Sequence, residues 1–153
     1  MKVAILNDTH CGVRNSSDIF LDYQARFYKE VFFPYLKEHG INTILHLGDY
    51  YEHRKFVNFK ALHANRKHFL EPMRDMGITM DIIPGNHDVY FKNTNELCSL
   101  KELLGYFTSN VNIIMKQLQI ILITQKLPLL SCFLHSCFST AKNKPFIEFF
   151  VNH

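Results

Sequence analysis

The residues best suited to chemistry in this chain come in three short polar runs, each following an apolar one. Val3-Ala4-Ile5-Leu6 leads into Asn7-Asp8-Thr9-His10, and Thr43-Ile44-Leu45-His46-Leu47 leads into Gly48-Asp49. The third, Ile83-Pro84, leads into Gly85-Asn86-His87-Asp88. Together they offer carboxylates, imidazoles and an amide oxygen, a donor mixture that suits manganese, iron or zinc better than calcium. Asp8 and His10 are one residue apart, so on an extended strand end both point to one side and can share a divalent cation. Asp49 can set one carboxylate between two ions, and Asn86 can add a neutral oxygen to the second. Two ions about 3.5–4 Å apart clamp a phosphate and turn a bridging water into hydroxide. His87 would then give a proton to the leaving oxygen, with Asp88 holding its ring and supporting the protonated form. Gly85 is expected where the backbone turns sharply, because a Cβ would restrict φ.

Taken singly these runs say little, since Asp-x-His occurs by chance and Gly-Asp ends many strands. Their weight lies in their order on three strands of one sheet, because open α/β sheets bind ligands beyond the carboxyl ends of their strands. Strands are expected over 2–6, 41–47 and 78–83, each short and rich in β-branched or large apolar residues. Helical spacing of apolar residues predicts a helix over 18–39, capped by Ser17 or Asp18. Pro34 should break or kink it near Phe33, and Gly40 ends it. A second helix is expected over 55–76, with Pro72 near its end and Gly77 after it, and a third over 93–104 with Asn95 as its cap. The order β-α-β-α-β implies a parallel sheet with right-handed crossovers.

The 153 residues suit one domain. A net charge of +3 is too small to demand a polyanionic partner by itself. Cys11, Cys98, Cys132 and Cys137 form no Cys-x-x-Cys pair, so they read as reduced thiols of a cytoplasmic protein. No signal peptide is visible, because Met1-Lys2 runs straight into a strand. Lys116 and Lys126 interrupt the apolar stretch 113–138, leaving no piece of the ~18–20 residues that cross a bilayer. The expectation is a protein without a membrane segment.

The three runs resemble the calcineurin-like metallophosphoesterase superfamily, whose pattern is Asp-x-His, Gly-Asp, Gly-Asn-His-Asp/Glu, then Gly-His and Gly-His-x-His. The stretch His46-Leu47-Gly48-Asp49-Tyr50-Tyr51-Glu52-His53-Arg54-Lys55 is similar to the nuclease subunit of phage recombination endonucleases of SbcD type. Phe32-Phe33-Pro34-Tyr35-Leu36-Lys37 and Asn58-Phe59-Lys60 are similar to tailed-phage members. The likeness covers about residues 1–112. It implies Asp8 and His10 as first-ion ligands, Asp49 as the bridging ligand, Asn86 on the second ion and His87 as the catalytic imidazole. It also implies two divalent ions, manganese above all, exonuclease and endonuclease action on DNA, a coiled-coil ATPase partner of SbcC type, and a homodimer. Some relatives carry a helpful His soon after Gly-Asp. Here Glu52 and His53 occupy that region, leaving His53 and Arg54 as substrate contacts or a solvated loop. The basic residues Lys55, Lys60, His63, Arg66, Lys67 and His68 could follow a DNA backbone or simply face water.

The chain departs from the family downstream. It contains no Gly-His and no Trp, and only His135 and His153 follow His87. His135 reads as a chance histidine, so the second ion site is incomplete. After Asp88 there is no further Asp, and after Gly105 no further Gly. The expected division is therefore the N-terminal half of the metallophosphoesterase α/β sandwich over 1–111 and an atypical tail over 112–153. In that tail 120–123 could be a strand, while 127–141 shows no period. A reading frame lost near 112–115 would explain the change. A general phosphatase or phosphodiesterase acting on nucleotides or phosphoproteins, and a non-catalytic fragment, are the competing functional readings.

Overall fold

The short apolar runs form strands, each a residue or more shorter than its sequence pattern. The computed structural model describes residues 2–104, 107 and 109–115, and the backbone of 147–150. Strands β1 (Val3–Leu6), β2 (Thr43–His46), β3 (Thr79–Ile82) and β4 (Val111–Ile113) are parallel, in the order β4-β3-β2-β1. Strand β5 (Ile147–Phe150) pairs antiparallel with β1 at the other edge. Leu6 is level with His46, and His46 with Ile82. The three polar runs therefore leave the sheet side by side, at one edge.

Strand β4 was not expected. It holds three residues, too few to show a period of two, and the expected boundary between 111 and 112 falls inside it. Its Asn112 amide donates to Asp81 Oδ1 at 2.9 Å. The expectations for 120–123, for 127–141 and for His135 lie outside the described residues.

The helical connections from β1 to β2 and from β2 to β3 each contain a proline and pass it the same way. Helix α1 (Asp18–Phe27) continues through a π segment (Tyr28–Phe32) into α2 (Phe33–Glu38). Helix α3 (Phe59–Asn65) continues through a π segment (Arg66–Leu70) into α4 (Glu71–Asp75). Proline lacks an N–H and its ring crowds the carbonyl one turn back. The wider turn accommodates this: Phe33 N–H reaches the Tyr28 carbonyl and Glu71 N–H the Arg66 carbonyl, five residues back. The break expected at Phe33 is thus a local widening.

Several helix boundaries differ from expectation. The second helix starts at Phe59, not 55, because the Asn58 side chain accepts the Lys60 N–H at 2.8 Å and caps it. Ser17 precedes α1 without a capping bond, and the Asp18 carboxylate pairs with Lys60 Nζ at 2.7 Å. The third helix, α5 (Ser99–Leu103), is shorter than 93–104. Residues 89–98 instead fold back on themselves, with Tyr90 N–H donating to the Leu97 carbonyl and Ser99 N–H to that of Asp88. Asn95 therefore caps nothing.

The helices cover one face of the sheet. Phe32, Leu36, Phe69, Leu70 and Met73 are fully buried there with Leu6, Ile44, Met80 and Ile82. Each such side chain contributes about 1.5–3 kcal/mol by leaving water. Tyr28 and Phe69 rings lie 4.8 Å apart and Phe32 and Phe33 5.4 Å apart within this core. A smaller cluster of Val3, Ile5, Leu45, Ile83 and Ile114 lies on the other face. Among the described residues, no helix is long and apolar enough to cross a membrane.

Candidate metal centre

Beyond the sheet edge the loops after β1 and β2 keep pairing. Asp8 N–H donates to the Gly48 carbonyl at 3.2 Å, His10 N–H to that of Asp49 at 3.0 Å, and Cys11 N–H to that of Tyr50 at 2.8 Å. The backbone here is left-handed at Asp8 (φ 51°), His10 (φ 42°) and Asp49 (φ 52°). For residues with a Cβ this costs on the order of 1 kcal/mol each and persists only where surroundings enforce it. Asp8 and His10 therefore do not lie on the extended strand end that was expected of them. Their side chains still meet, with His10 Nε2 3.9 Å from Asp8 Oδ1, but a twice-reversed backbone brings them together.

The loop after β3 is pressed against the loop after β2. A Cβ on Gly85 would lie 2.2 Å from Asp49 Oδ1, and one on Gly48 would lie 2.5 Å from the Gly85 nitrogen. Gly85 is thus needed for close approach and not, as expected, for its own φ. The positive φ belongs to Gly48, at 104°. The same contact lets His87 N–H donate to Asp49 Oδ1 at 2.8 Å.

Asp88 does not hold the His87 ring. Its buried carboxylate accepts the backbone N–H groups of Gly85 (2.9 Å), Tyr50 (3.0 Å) and Tyr51 (3.2 Å), tying the β2 and β3 loops together. Burial pushes its pKa up to about 6, outweighing the three N–H groups that favour the charged form. The His87 ring is held by Glu52, whose backbone carbonyl accepts from Nδ1. A carbonyl can only accept, so Nδ1 carries the proton and Nε2 is left free.

Two groups of side chains bring potential ligand atoms within 4.8 Å of one another: Asp8, His10 and Asp49, and His10, Glu52 and His87. The His10 and His87 ring centroids are 4.9 Å apart. Burial, together with the neighbouring Asp49 charge, raises the Asp8 pKa against the pull of both imidazoles. His10 Nδ1 is buried and lies 2.8 Å from Glu52 Oε2, but off the line of an aligned hydrogen bond. Paired carboxylates that repel, beside an imidazole nitrogen with no aligned partner, are a donor set that fits a divalent cation.

The remaining expected residues are placed as follows. Asn86 is exposed; its carbonyl accepts from Arg54 Nε at 2.9 Å and from Arg54 Nη2. Arg54 thus braces the Asn86 backbone. The His53 ring stacks on Phe56 at 4.5 Å and belongs to neither group. On the basic helix, Lys60 is paired with Asp18 and Arg66 approaches Glu71 at 3.6 Å, so part of its charge is spent locally. Cys11 and Cys98 are buried free thiols, and burial pushes Cys11 up to about 12. Cys132 and Cys137 lie outside the described residues.

Two side chains were passed over in the sequence. Glu52 reaches both imidazoles, and its only signal is lying three residues past Asp49 on the same loop. His46 is completely buried, with Nδ1 accepting Gly48 N–H at 3.2 Å and Nε2 3.1 Å from Thr9 Oγ1. Burial, with the His10 charge nearby, lowers its pKa to about 3, so the ring is neutral. A histidine inside an apolar run carries no sequence mark of such a role.

Comparison with known proteins agrees with this geometry. Over 107 residues the chain is 32% identical to "Exonuclease subunit 1" of Enterobacteria phage T4. That alignment covers 70% of this chain and 31% of the phage protein, so the chain spans about a third of that relative's length. Residues 1–133 match the calcineurin-like phosphoesterase family. With the three polar runs converging at one edge of a parallel sheet and the family match running through all of them, this chain belongs to the calcineurin-like phosphoesterases, a family of metal-dependent hydrolases.

Proposed function

We propose that this chain is the front part of a metal-dependent phosphodiesterase, a DNA endo- and exonuclease subunit of the phage recombination and repair type. The observation that carries this is the convergence of Asp8, His10, Asp49, Glu52 and His87 from separate loops. The relative named as an exonuclease subunit supports the choice of DNA. In this reading Asp8, His10 and Asp49 hold one cation. Asp49 and Asn86 contribute to a second, which the described residues complete only in part. Manganese suits the mixed imidazole and carboxylate donors. When bound, the metal supplies positive charge to the phosphate and an acidified water.

The chain's own residues do the rest. The Glu52 carbonyl fixes one proton of His87 on Nδ1, so Nε2 is the nitrogen that takes up a second proton, and the imidazolium then gives that proton from Nε2 to the leaving oxygen. Asp88 and Arg54 hold the loop that carries His87 and Asn86. A coiled-coil ATPase of SbcC type and a second copy of the chain are the proposed partners, with no membrane involved. A phage-borne protein of this kind would work in the host cytoplasm. The division at 111/112 belongs to the same reading.

The test is plasmid DNA and a small phosphodiester offered to the purified chain with Mn2+. DNA cleavage that stops with chelator and in Asp49→Asn supports the nuclease. Turnover of the small diester alone would move the reading to a general phosphodiesterase. Failure to bind Mn2+ at all would overturn it.

A further inference from the structure

Thr9 stands between the two left-handed residues Asp8 and His10, and it is held from three sides. Its hydroxyl donates to the Tyr50 carbonyl at 3.2 Å and lies 3.1 Å from His46 Nε2. Its carbonyl accepts the Gln24 side-chain amide at 2.7 Å. Because His46 Nδ1 accepts the Gly48 N–H, the ring proton of the neutral imidazole sits on Nε2. His46 therefore donates to the Thr9 oxygen, and Thr9 donates onward to Tyr50. The line of bonds runs from Gly48 through His46 and Thr9 to Tyr50, and Asp49 lies between its two ends in sequence.

We propose that Thr9 and His46 are positioning residues that hold Asp8 and His10 against Asp49 at the spacing a shared divalent cation needs. This rests on the reading that those three residues bind the cation. The physical reason is the strain. Left-handed backbone at Asp8 and His10 is kept only while something over-determines it. The peptide units on either side of Thr9 are the ones that would relax, and rotation there swings both ligand tips apart. Groups that orient metal ligands lower affinity about 10–100-fold when removed.

Mn2+ titration followed by electron paramagnetic resonance tests this without relying on activity. Thr9→Val keeps the side-chain shape and loses the hydroxyl, and is expected to bind Mn2+ at least about 10-fold more weakly. Thr9→Ser keeps the hydroxyl and is expected to bind like wild type. Asp8→Asn is the control for the cation itself. If Thr9→Val matches wild type while Asp8→Asn does not, the positioning role is wrong and the cation reading stands. If Asp8→Asn also matches wild type, the cation reading falls and this inference with it. Equal weakening in Thr9→Ser and Thr9→Val would show that the hydroxyl is not the cause, and would overturn the proposal. Should Thr9→Val lack a cooperative melting transition, Gln24→Ala removes the third tether from outside the loop. It is expected to weaken Mn2+ binding in the same direction, and unchanged binding there would count against the proposal.

Discussion

The loops after β1 and β3 each bring an imidazole to the same place, yet they are braced in opposite ways. The β1 loop carries Asp8 and His10 on left-handed backbone, and its restraints come from elsewhere, through His46, Gln24 and Tyr50. The β3 loop shows no positive φ among its residues. It fits because Gly85 has no side chain to strike Asp49, and because its own Asp88 gathers three amides from two loops. One loop is strained and tethered, while the other is relaxed and packed. Cutting a tether should therefore loosen the metal ligands of the first, and adding bulk or emptying a buried acceptor should cost stability in the second.

The largest expected effect separates chemistry from scaffolding in the β3 loop. His87→Ala should cost about 10²–10⁴-fold in turnover, as loss of a general acid does. Mn2+ binding should stay within a few-fold of wild type; a variant that keeps its turnover would remove His87 from the chemistry. Next comes Asp88→Ala, which leaves the Gly85, Tyr50 and Tyr51 N–H groups buried without their acceptor. At about 1–3 kcal/mol per orphaned group, a loss of roughly 3 kcal/mol or more is expected in chemical denaturation. A smaller loss than in Thr9→Val would contradict the contrast between the loops.

Gly85→Ala should follow, at about 1–3 kcal/mol, the usual cost of forcing bulk into a filled space. The new methyl displaces the Asp49 carboxylate, so weakened Mn2+ binding should accompany it. A variant with wild-type Mn2+ affinity would show that the two loops can part without harm.

The smallest effect per step is a pH slope from His46, which ends β2 and braces the β1 loop. His46 titrates near 3 when folded and near 6.5 when unfolded, so between those values only the unfolded chain takes up a proton. Its contribution to stability is complete above about pH 6.5 and declines as pH falls, by about 1.4 kcal/mol per unit. Asp88 acts the other way. Its raised pKa gives a contribution complete below about pH 3.8 and lost as pH rises through 6. The His46 share therefore appears as the difference between wild type and His46→Gln in metal-free buffer. Parallel stability curves for the two proteins would mean that His46 is not buried neutral.

Local pattern made much of this legible. Short apolar runs bounded by Gly and polar residues can hardly be anything but buried strands, so β1, β2 and β3 were visible, and so was the edge at which their loops emerge. The residues around Pro34 and Pro72 announced trouble in both helices, since a missing N–H is a property of the residue itself. Asp8, His10, Asp49, Asn86 and His87 were picked out as candidates, and the family likeness was visible, for the same reason. Within each run the residues are adjacent or nearly so, and each run follows a strand.

What the chain alone could not announce depends on approach between segments distant in sequence. β4 is three residues long and acquires its place only by pairing with β3. Residues 93–98 look helical until Ser99 N–H is claimed by the Asp88 carbonyl. Gly85 needs its bareness because of Asp49, thirty-six positions away, and Asp88 serves Tyr50 and Tyr51 in place of its neighbour His87. Glu52, His46 and Thr9 carry no motif, and their parts emerge only once two loops lie side by side. Residue type and spacing chose the donors and the sheet that presents them. Packing between loops chose which atoms face one another, because hydrogen-bond partners and steric overlap are facts of distance in space, not along the chain.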